Sequence, residues 1–566
     1  MLKKLPLLLV MAVVMLSSCS SKMKNVKSEY FTVTPGVLEV VGGEIPVTVD
    51  GKFPAKFFNK KSVLTITPVL KYEGGEAISD PVTFQGEKVR GNDRAISYEN
   101  GGTFKMKMQY DYVPEMEDAE LYLRFVVNKG NKSYDIPEVK VADGCNATSQ
   151  LYRQTAATAN IAVGEDAFQR VIKQAKEANI MFLIQQTNLR SSELEGAEMN
   201  ELRATLNNLA ADTVGLLLED IQISAYASPD GGVVLNDNIA VVRENNTANQ
   251  MKQELKKANL EGYIDSKYTA EDWDGFKELV AQSNLPDKEL ILRLLSMYTE
   301  PEEREQQIKN ISTVYAELAD EVLPKLRRAR ITLNYQIIGR SDEQIQAQYA
   351  ENPAELSLEE ILYSSILTDD EAELTDIYNT AIKLYPDDYR AYNNLGVMAY
   401  NKGDYDAAAE YFAKAESVEK SAPEVMVNLG YIELIKGNVA EAEAYITKGV
   451  DAKAGDEALG NLCIAKGEYA RAVTLLKGKN TNSALLAQVL NKNYVAARET
   501  LEEMEEPDAI TYYIKAVLGA RISNVGFIYE GLKKAVELDP SLAKKAMDDM
   551  EFAKFVNDAT FCEILK

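Results

Sequence analysis

The pattern of apolar and polar positions changes along the chain, and it first predicts β-structure. Residues 104–112 (FKMKMQYDY) alternate apolar and polar side chains at every step, which is the period of a half-buried strand. Residues 63–67 and 121–125 are similar. Turn signals separate such runs at residues 42–43, 50–51, 74–75 and 101–102. Roughly seven short strands of this kind in residues 28–150 predict an all-β sandwich.

The pattern then becomes that of an α/β domain. Residues 180–184 (IMFLI) form a short apolar run typical of a buried strand, and apolar residues between positions 194 and 209 recur at near-helical spacing. A second strand is predicted for residues 221–227, followed by a turn at residues 228–232 (SPDGG). The next helix is expected to carry Asn236 and Arg243 near its start. Residues 261–323 are predicted to form a helical insertion.

The last part of the chain repeats itself. Tyr392, Leu395-Gly396, Gly403, Ala408 and Phe412 form one unit. A second unit follows with a period of about 34 residues, and shortened or degenerate units continue to about position 540. A helix pair of this length cannot bury its apolar face alone, so the pairs must stack into a solenoid.

Composition narrows the possible chemistry. The 566 residues include no histidine, 62 Lys and Arg, and 87 Asp and Glu, which gives a net charge of −25. Catalytic triads, histidine general bases and imidazole metal sites are therefore excluded. The charge has the wrong sign for neutralising phosphates, which disfavours a nucleic-acid partner. The separation of Cys145, Cys463 and Cys562 disfavours a disulfide framework or a metal site, and no cofactor is expected.

The N-terminus has the features of an export signal. Two lysines precede a short apolar run at residues 5–16. Residues 16–19 (LSSC) resemble a bacterial lipobox, which implies cleavage after residue 18 and lipidation of Cys19. The alternative is an ordinary signal peptide with an incidental cysteine. The resemblance also implies the outer membrane, because Ser20 is not the aspartate of inner-membrane retention, and residues 20–24 contain no acid, which favours a periplasm-facing protein over a surface-exposed one.

Residues about 165–340 resemble the OmpA-like peptidoglycan-binding family. The resemblance rests on the strand, the SPDG turn, Asn236 and, seven residues later, Arg243, with a late strand element at residues 326–331. It implies that Arg243 and an aspartate clamp the charged ends of a wall peptide. The family's glycine aligns with Gly231, but its aspartate aligns with Ser228, so Asp230 would have to substitute. The alternative is a structural domain in which Arg243 forms a salt bridge on the helix surface.

The repeats resemble the tetratricopeptide family, whose Leu-Gly, Ala, Phe and Ala positions they match closely. The resemblance implies a concave groove that binds an apolar peptide or a partner helix. The predicted groove residues are Asn393, Val397, Tyr400, Val427, Tyr431 and Leu434. The alternative is that these side chains pack between repeats.

These interpretations combine into a multidomain chain. It consists of a signal peptide (1–18), a lipidated linker (19–27), an immunoglobulin-like sandwich (28–150), an OmpA-like α/β domain (165–340) and an all-α solenoid (350–566). This order resembles Bacteroidota outer-membrane lipoproteins and implies a non-enzymatic, lipid-anchored scaffold. We expect it to be an accessory subunit of an envelope machine that assembles or secretes outer-membrane proteins, with a β-barrel complex as partner. The alternatives are a dedicated peptidoglycan anchor and a glycan-active enzyme that uses two carboxylates.

Overall fold

The computed structural model describes residues 23–229, 231–285, 287–310 and 312–566. The predicted signal peptide, Cys19 and Asp230 lie outside the described residues. The chain forms two compact units, of which the first combines the residues up to Glu165 with Asp369–Lys566 and the second is Asp166–Thr368. In the described ranges, none of the helices has the length and apolar character needed to cross a membrane.

The N-terminal part of the first unit is β-rich. Its strands are β1 (Phe31–Thr34), β2 (Val37–Glu39), β3 (Glu44–Phe53), β4 (Val63–Tyr72), β5 (Gly75–Ile78), β6 (Val82–Gly86), β7 (Arg94–Ile96), β8 (Gly102–Asp111), β9 (Glu120–Lys129) and β10 (Lys132–Asn146). One sheet has the order β1-β3-β8 and the other β2-β10-β9-β4-β6-β7, with β5 beside β4. Both sheets contribute to one hydrophobic core. The alternation that predicted a strand places Met106 and Met108 of β8 inside this core.

A short segment follows the last strand. It contains a 3-10 turn (Thr148–Leu151), helix α1 (Tyr152–Ala157) and an extended stretch that reaches Glu165, the last residue of this unit before Asp369. The segment 147–165 is buried along much of its length, with Ala156 completely inaccessible and Leu151 almost so. Its apolar residues belong to the core of the helical part of this unit.

The C-terminal part of the first unit is helical. Its helices are α12 (Glu371–Leu384), α13 (Arg390–Asn401), α14 (Tyr405–Val418), α15 (Pro423–Lys436), α16 (Val439–Ile446), α17 (Gly455–Ala465), α18 (Tyr469–Leu475), α19 (Asn482–Leu490), α20 (Tyr494–Glu503), α21 (Ala509–Arg521), α22 (Val525–Leu538), α23 (Leu542–Asp548) and α24 (Ala559–Ile564). From α13 to α22 they pack as successive pairs. This stacking shares a single apolar core along the array.

The repeated glycines explain why each pair packs so closely. A Cβ added at Gly396 of α13 would lie 2.5 Å from the ring of Phe412 on α14, and one added at Gly430 of α15 would lie 2.4 Å from Ile446 on α16. The glycine of each Leu-Gly pair therefore admits the large side chain of the second helix. Gly403, between α13 and α14, has a φ of +77°, which favours glycine.

The β-rich part is attached to the C-terminal end of the helical array. Glu551 accepts hydrogen bonds from Asn146 at 2.8 Å and from Thr148 at 2.7 Å, and it also forms an ion pair with Arg521 at 2.6 Å. Arg521 and Glu551 are both nearly inaccessible to solvent. These partly buried contacts join sequence-distant residues within the first compact unit.

The second unit is built on a four-stranded sheet with helices on it. Its elements are β11 (Val171–Met181), α2 (Ser191–Leu194), α3 (Ala197–Ala211), β12 (Leu216–Tyr226), α4 (Val233–Ala258), β13 (Tyr263–Thr269), α5 (Trp273–Gln282), α6 (Lys288–Met297), α7 (Pro301–Asn310), α8 (Ser312–Glu321), α9 (Leu323–Leu326), β14 (Arg328–Ile338), α10 (Asp342–Glu351) and α11 (Leu358–Ser364). The strand order is β11-β14-β12-β13. Apolar residues of α3 and α4 pack with those of the central strands in one core.

Three expectations for this region need correction. The run 180–184 is strand only to Met181, and Leu183 and Ile184 are exposed in the loop that follows. The insertion 261–323 is not wholly helical, because β13 pairs in parallel with β12. The predicted start of the solenoid at residue 350 lies in α10, which belongs to the second unit, and the array of the first unit begins with α12.

Candidate functional site

The inner face of the helical array is covered by the chain's own segment 147–165. The six predicted groove residues are all buried, and Val397, the most accessible, is 8% exposed. The five apolar ones share one hydrophobic cluster with residues of the segment, including Ala156, Ile161 and Ala162. The expectation of a foreign peptide on these side chains is therefore corrected: the occupant is a stretch of the same polypeptide.

Asparagine side chains hold the backbone of this segment. Asn428 of α15 accepts a hydrogen bond from the N–H of Ala162 at 2.8 Å and donates one to its carbonyl at 2.7 Å. Asn394 of α13 does the same with Gly164, at 2.8 and 2.9 Å. Each side-chain amide thus pairs with a backbone N–H and a backbone carbonyl that would otherwise need a neighbouring strand as partner. Asn393 adds a third bond, to the carbonyl of Ala162 at 3.0 Å.

The helical half of the segment is held by hydroxyl and amide groups. Thr155 of α1 donates to Asn461 of α17 at 2.7 Å, and Asn482 of α19 donates to the hydroxyl of Thr158 at 3.0 Å. Tyr400 of α13 donates to the carbonyl of Ala156. Apart from the exposed Thr158, these side chains are buried and paired, so they fix the position of the segment without a penalty for unsatisfied polar atoms.

The end of the segment lies beside an open cavity. Arg390 donates to the carbonyl of Glu165 at 3.1 Å, and the Glu165 carboxylate forms an ion pair with Lys453. The cavity has a volume of 410 Å³. Its walls are residues 160–163 and Glu165 of the segment with Tyr389, Glu424, Lys453, Ala454 and Glu457 of the array. Val163 of the segment is 47% exposed.

Glu457 is the buried acid of this cavity. Burial raises the pKa of its carboxyl group above the usual 4.5, while hydrogen bonds to Thr481 and Ser483 and the charge of Lys479 act in the opposite direction. Ser483 donates to its Oε1 at 3.3 Å. A second acid, Glu424, accepts a hydrogen bond from Tyr389 at 3.0 Å, and burial raises the pKa of Tyr389 to about 12.

The binding of the segment by asparagines was not predicted from the sequence, although Asn393 was among the predicted groove residues. The signal was present: Asn394 and Asn428 are one repeat period apart, and each directly precedes a Leu-Gly pair. Polar residues at the same repeat position indicate a shared ligand. What the period could not reveal was the identity of that ligand, because the segment lies far earlier in the chain than the repeats that hold it.

In the second unit, Arg243 of α4 is buried rather than available on a surface. It is 1% exposed and donates to the carbonyls of Gln186 at 3.0 Å, Tyr226 at 2.8 Å and Leu183 at 3.3 Å. Its guanidinium group also lies 4.7 Å from the centre of the Phe182 ring. The alternative that placed Arg243 on the helix surface is thus corrected, since the side chain is buried. These bonds join α4 to the end of β12 and to the loop after β11.

The other residues of the predicted clamp also serve local structure. Ser228 is 4% exposed and accepts a hydrogen bond from Arg327 at 3.1 Å. Asn236 donates to the carbonyl of Gly231 at 2.8 Å, which closes the turn before α4. Together with Arg243, Ser228 and Asn236 lie at one end of the sheet.

Comparison with known proteins identifies the repeats. A tetratricopeptide repeat family model matches residues 376–423. Together with the regular spacing of the Leu-Gly units, this match confirms that the C-terminal part contains tetratricopeptide repeats. None of the curated proteins matches the chain.

Solved structures of repeat proteins are also similar. A tetratricopeptide repeat protein from Parabacteroides merdae is 12% identical, with 46% of this chain and 98% of that chain covered and a TM-score of 0.28. Pseudomonas aeruginosa pilF is 13% identical, with coverages of 38% and 98% and a TM-score of 0.26. YrrB, described as a TPR protein with an unusual peptide-binding site, is 20% identical, with coverages of 30% and 99% and a TM-score of 0.21.

The repeats suggest that this chain takes part in protein–protein interaction. Among the residues that the structure describes, no cluster of three or more Cys, Asp or Glu side chains is arranged to hold a metal ion. Cys145 and Cys463 are buried free thiols, and Cys562 is partly exposed.

Proposed function

We propose that this protein is a non-enzymatic scaffold, anchored by lipid on Cys19 to the outer membrane of a bacterium of the Bacteroidota type. The observation that carries the scaffold function is the segment threaded along the inner face of the array. It joins the β-rich part and the repeats through one continuous piece of chain. A scaffold needs such fixed connections between its binding surfaces, whereas an enzyme would need an accessible reactive group.

The anchoring is supported by the sequence alone, through the LSSC stretch at residues 16–19 and the apolar run before it. The experiment is metabolic labelling with an alkyne-bearing palmitate in a bacterial host, followed by membrane fractionation. Wild type should incorporate the label and sediment with the outer membrane, and Cys19→Ser should do neither. Labelling of both forms, or of neither, would remove the lipid anchor from the proposal.

We propose an immunoglobulin-like sandwich for the β-rich part and an OmpA-like fold for the second unit. The latter is supported by the mixed sheet with helices α3 and α4 and by the placement of Arg243 at the end of β12. In this proposal Arg243 stabilises the fold and is not a wall-peptide clamp, because its guanidinium group is committed to three backbone carbonyls. Sedimentation of the full chain with purified peptidoglycan tests this. If wild type sediments with the peptidoglycan and a folded Arg243→Lys variant does not, Arg243 binds the wall peptide and this part of the proposal is wrong.

The partners proposed are proteins of the envelope, in particular an outer-membrane β-barrel complex, with the bulk of the protein facing the periplasm. This orientation is consistent with the absence of acidic residues at positions 20–24. Affinity purification from mild detergent should retain an integral barrel protein, and added protease should leave the protein intact on whole cells. Degradation on intact cells would place it at the surface and exclude contact with the wall.

A further inference from the structure

We propose that strand β11 is an interface between two copies of this chain, which pair antiparallel along residues 173–177 and join their sheets into one. The surface is an outer edge of the second unit's sheet, because β11 is the first strand in the order β11-β14-β12-β13. The inference goes beyond the proposed scaffold function. It depends on neither the lipid nor the envelope partner, since it rests on contacts within this unit.

The backbone of β11 presents groups to this edge at every second residue. The N–H of Asn179 donates to the Glu198 carboxylate at 2.7 Å, and the N–H of Met181 donates to Glu193 at 3.2 Å, so both point away from β14. In an antiparallel pair such outward groups alternate along the strand, and β11 pairs with β14 without a register shift. The N–H and carbonyl groups at positions 173, 175 and 177 therefore face outward too.

The edge is closed at one end and open at the other. Glu193 and Glu198 take the place of a neighbouring strand's carbonyls for residues 179 and 181. In the part of the chain that the structure describes, the backbone of residues 173–177 is hydrogen-bonded only to β14, and Ala175 is exposed. An open edge of this kind is a template for another strand, and the two carboxylates determine where the pairing must end.

The side chains favour a second copy of β11 as the added strand. Lys173 and Glu177 lie on the same face, each two positions from Ala175. In an antiparallel pair centred on Ala175, Lys173 of each copy lies directly opposite Glu177 of the other, and opposite charges at such positions stabilise a sheet. Lys173 also contacts Glu219 of its own chain at 3.4 Å, but its side chain is 75% exposed and can reach a second carboxylate. A two-fold axis at Ala175 gives both copies the same contacts.

Other registers of the same pair are less favourable. Outward groups must meet outward groups, so the pairing can shift only by two residues at a time. One such shift places Lys173 opposite Ala175 and Glu177 opposite Val171, which separates the charges. The other places Lys173 opposite Asn179, whose N–H is already bound to a carboxylate. The register centred on Ala175 is the one that satisfies both the backbone and the charges.

Disulfide formation tests the pairing at the two-fold axis. Opposite residues that exchange both hydrogen bonds have Cα atoms about 5.5 Å apart, a separation that a disulfide can span. Ala175→Cys in the full chain should therefore form a covalent dimer when the cells that express it are mildly oxidised. Non-reducing gel electrophoresis shows the dimer, and mass spectrometry should find position 175 linked to position 175. Ala204→Cys, at an exposed position of α3, is the matched control and should give no more dimer than wild type.

Ala175→Pro tests the backbone contribution. Proline lacks the N–H that would donate to the second copy, but an edge position whose N–H faces solvent tolerates it in the separate chain. In sedimentation velocity of the purified full chain over a range of concentrations, wild type should dimerise. The dissociation constant of the dimer should rise at least about ten-fold in Ala175→Pro, because the two hydrogen bonds at the axis are lost. Circular dichroism checks that the variant is folded.

Exchange of the two charges provides a measurement that does not depend on Ala175. Lys173→Glu alone should weaken the dimer, because it places carboxylates opposite each other, and adding Glu177→Lys should restore it. A wild type that stays monomeric, or a dimer that none of these substitutions weakens, would overturn the proposal. A disulfide from Ala175→Cys to a different protein would equally exclude the second copy as the added strand. Loss of the lipid anchor in the labelling experiment would leave this inference standing.

Discussion

Asn428 holds both backbone groups of Ala162, a residue that precedes it by 266 positions, with distances of 2.8 Å from the alanine N–H and 2.7 Å to its carbonyl. The asparagine is completely buried, and its Nδ2 also donates to Asn393 at 2.9 Å. One side chain therefore connects the segment to two helices, α13 and α15. This relationship makes the segment part of the folded core of the first unit.

Asn428→Ala should accordingly destabilise the first unit. The substitution removes the partner of the Ala162 N–H at a buried position, and we expect a loss of about 1–3 kcal/mol in the free energy of unfolding. Denaturant titration followed by circular dichroism measures this loss. Asn401→Ala, at an exposed position at the end of α13, should change stability by less than about 0.5 kcal/mol. Equal effects of both substitutions would show that the hydrogen bonds between Asn428 and Ala162 do not stabilise the first unit.

Gly430→Ala should also destabilise the repeats, for a steric reason. The new Cβ would lie 2.4 Å from Ile446, so α15 and α16 would have to move apart, at a cost of about 1–3 kcal/mol. The control is Gly526→Ala, at an exposed position of α22 where the nearest heavy atom is 3.3 Å away. That substitution should cost much less than Gly430→Ala, because only the capping oxygen of Asn524 has to move by a few tenths of an ångström and alanine favours helix. Thermal unfolding of both variants measures the change in stability that each substitution causes relative to wild type.

Local periodicity predicted the repeats well because their contacts are local. The glycines that admit Phe412 and Ile446 recur with the motif, so the sequence pattern and the packing carry the same information. The occupant of the groove was harder to predict from the sequence, since it is determined by contacts between Ala162 and Asn428, which are far apart in the chain. The strand predicted to reach Ile184 failed for a related reason. The strand ends at Met181, and the carbonyl of Leu183 accepts a hydrogen bond from Arg243 of a distant helix instead of continuing the sheet.

Arg243→Ala is expected to destabilise the second unit. The substitution removes three hydrogen bonds to backbone carbonyls and the contact with Phe182. Because the guanidinium group that makes these contacts is itself buried, the loss should be about 1–3 kcal/mol in the unfolding of this unit. Lys252→Ala, at an exposed position on the same helix, is the matched control.

Hydrogen exchange resolved by region is the suitable measurement, because it reports the two units separately. Protection should fall in β11, β12 and α4, while α13–α22 remain protected. If Arg243→Ala leaves exchange in the second unit unchanged, its hydrogen bonds do not support the fold, and a binding role becomes the better explanation of its position.

Glu457 makes the stability of the first unit depend on pH. Burial raises the pKa of its carboxyl group in the folded state above the usual 4.5, so the folded protein binds this proton more tightly than the unfolded chain does. Below pH 4.5 the Glu457 carboxyl group is protonated in both the folded and the unfolded state, so it does not make the free energy of unfolding depend on pH there. As the pH rises from 4.5 through the folded-state pKa, ionisation inside the fold becomes a cost, and stability falls.

Glu457→Gln removes that cost because an amide does not ionise. The variant should gain stability relative to wild type as the pH rises, with little difference near about pH 4.5 and the full difference near about pH 7.5. Denaturant titrations across this range measure it, with Glu441→Gln, an exposed position of α16, as the control. Parallel pH profiles for wild type and Glu457→Gln would mean that Lys479, Thr481 and Ser483 compensate the burial fully, since these are the groups that oppose it.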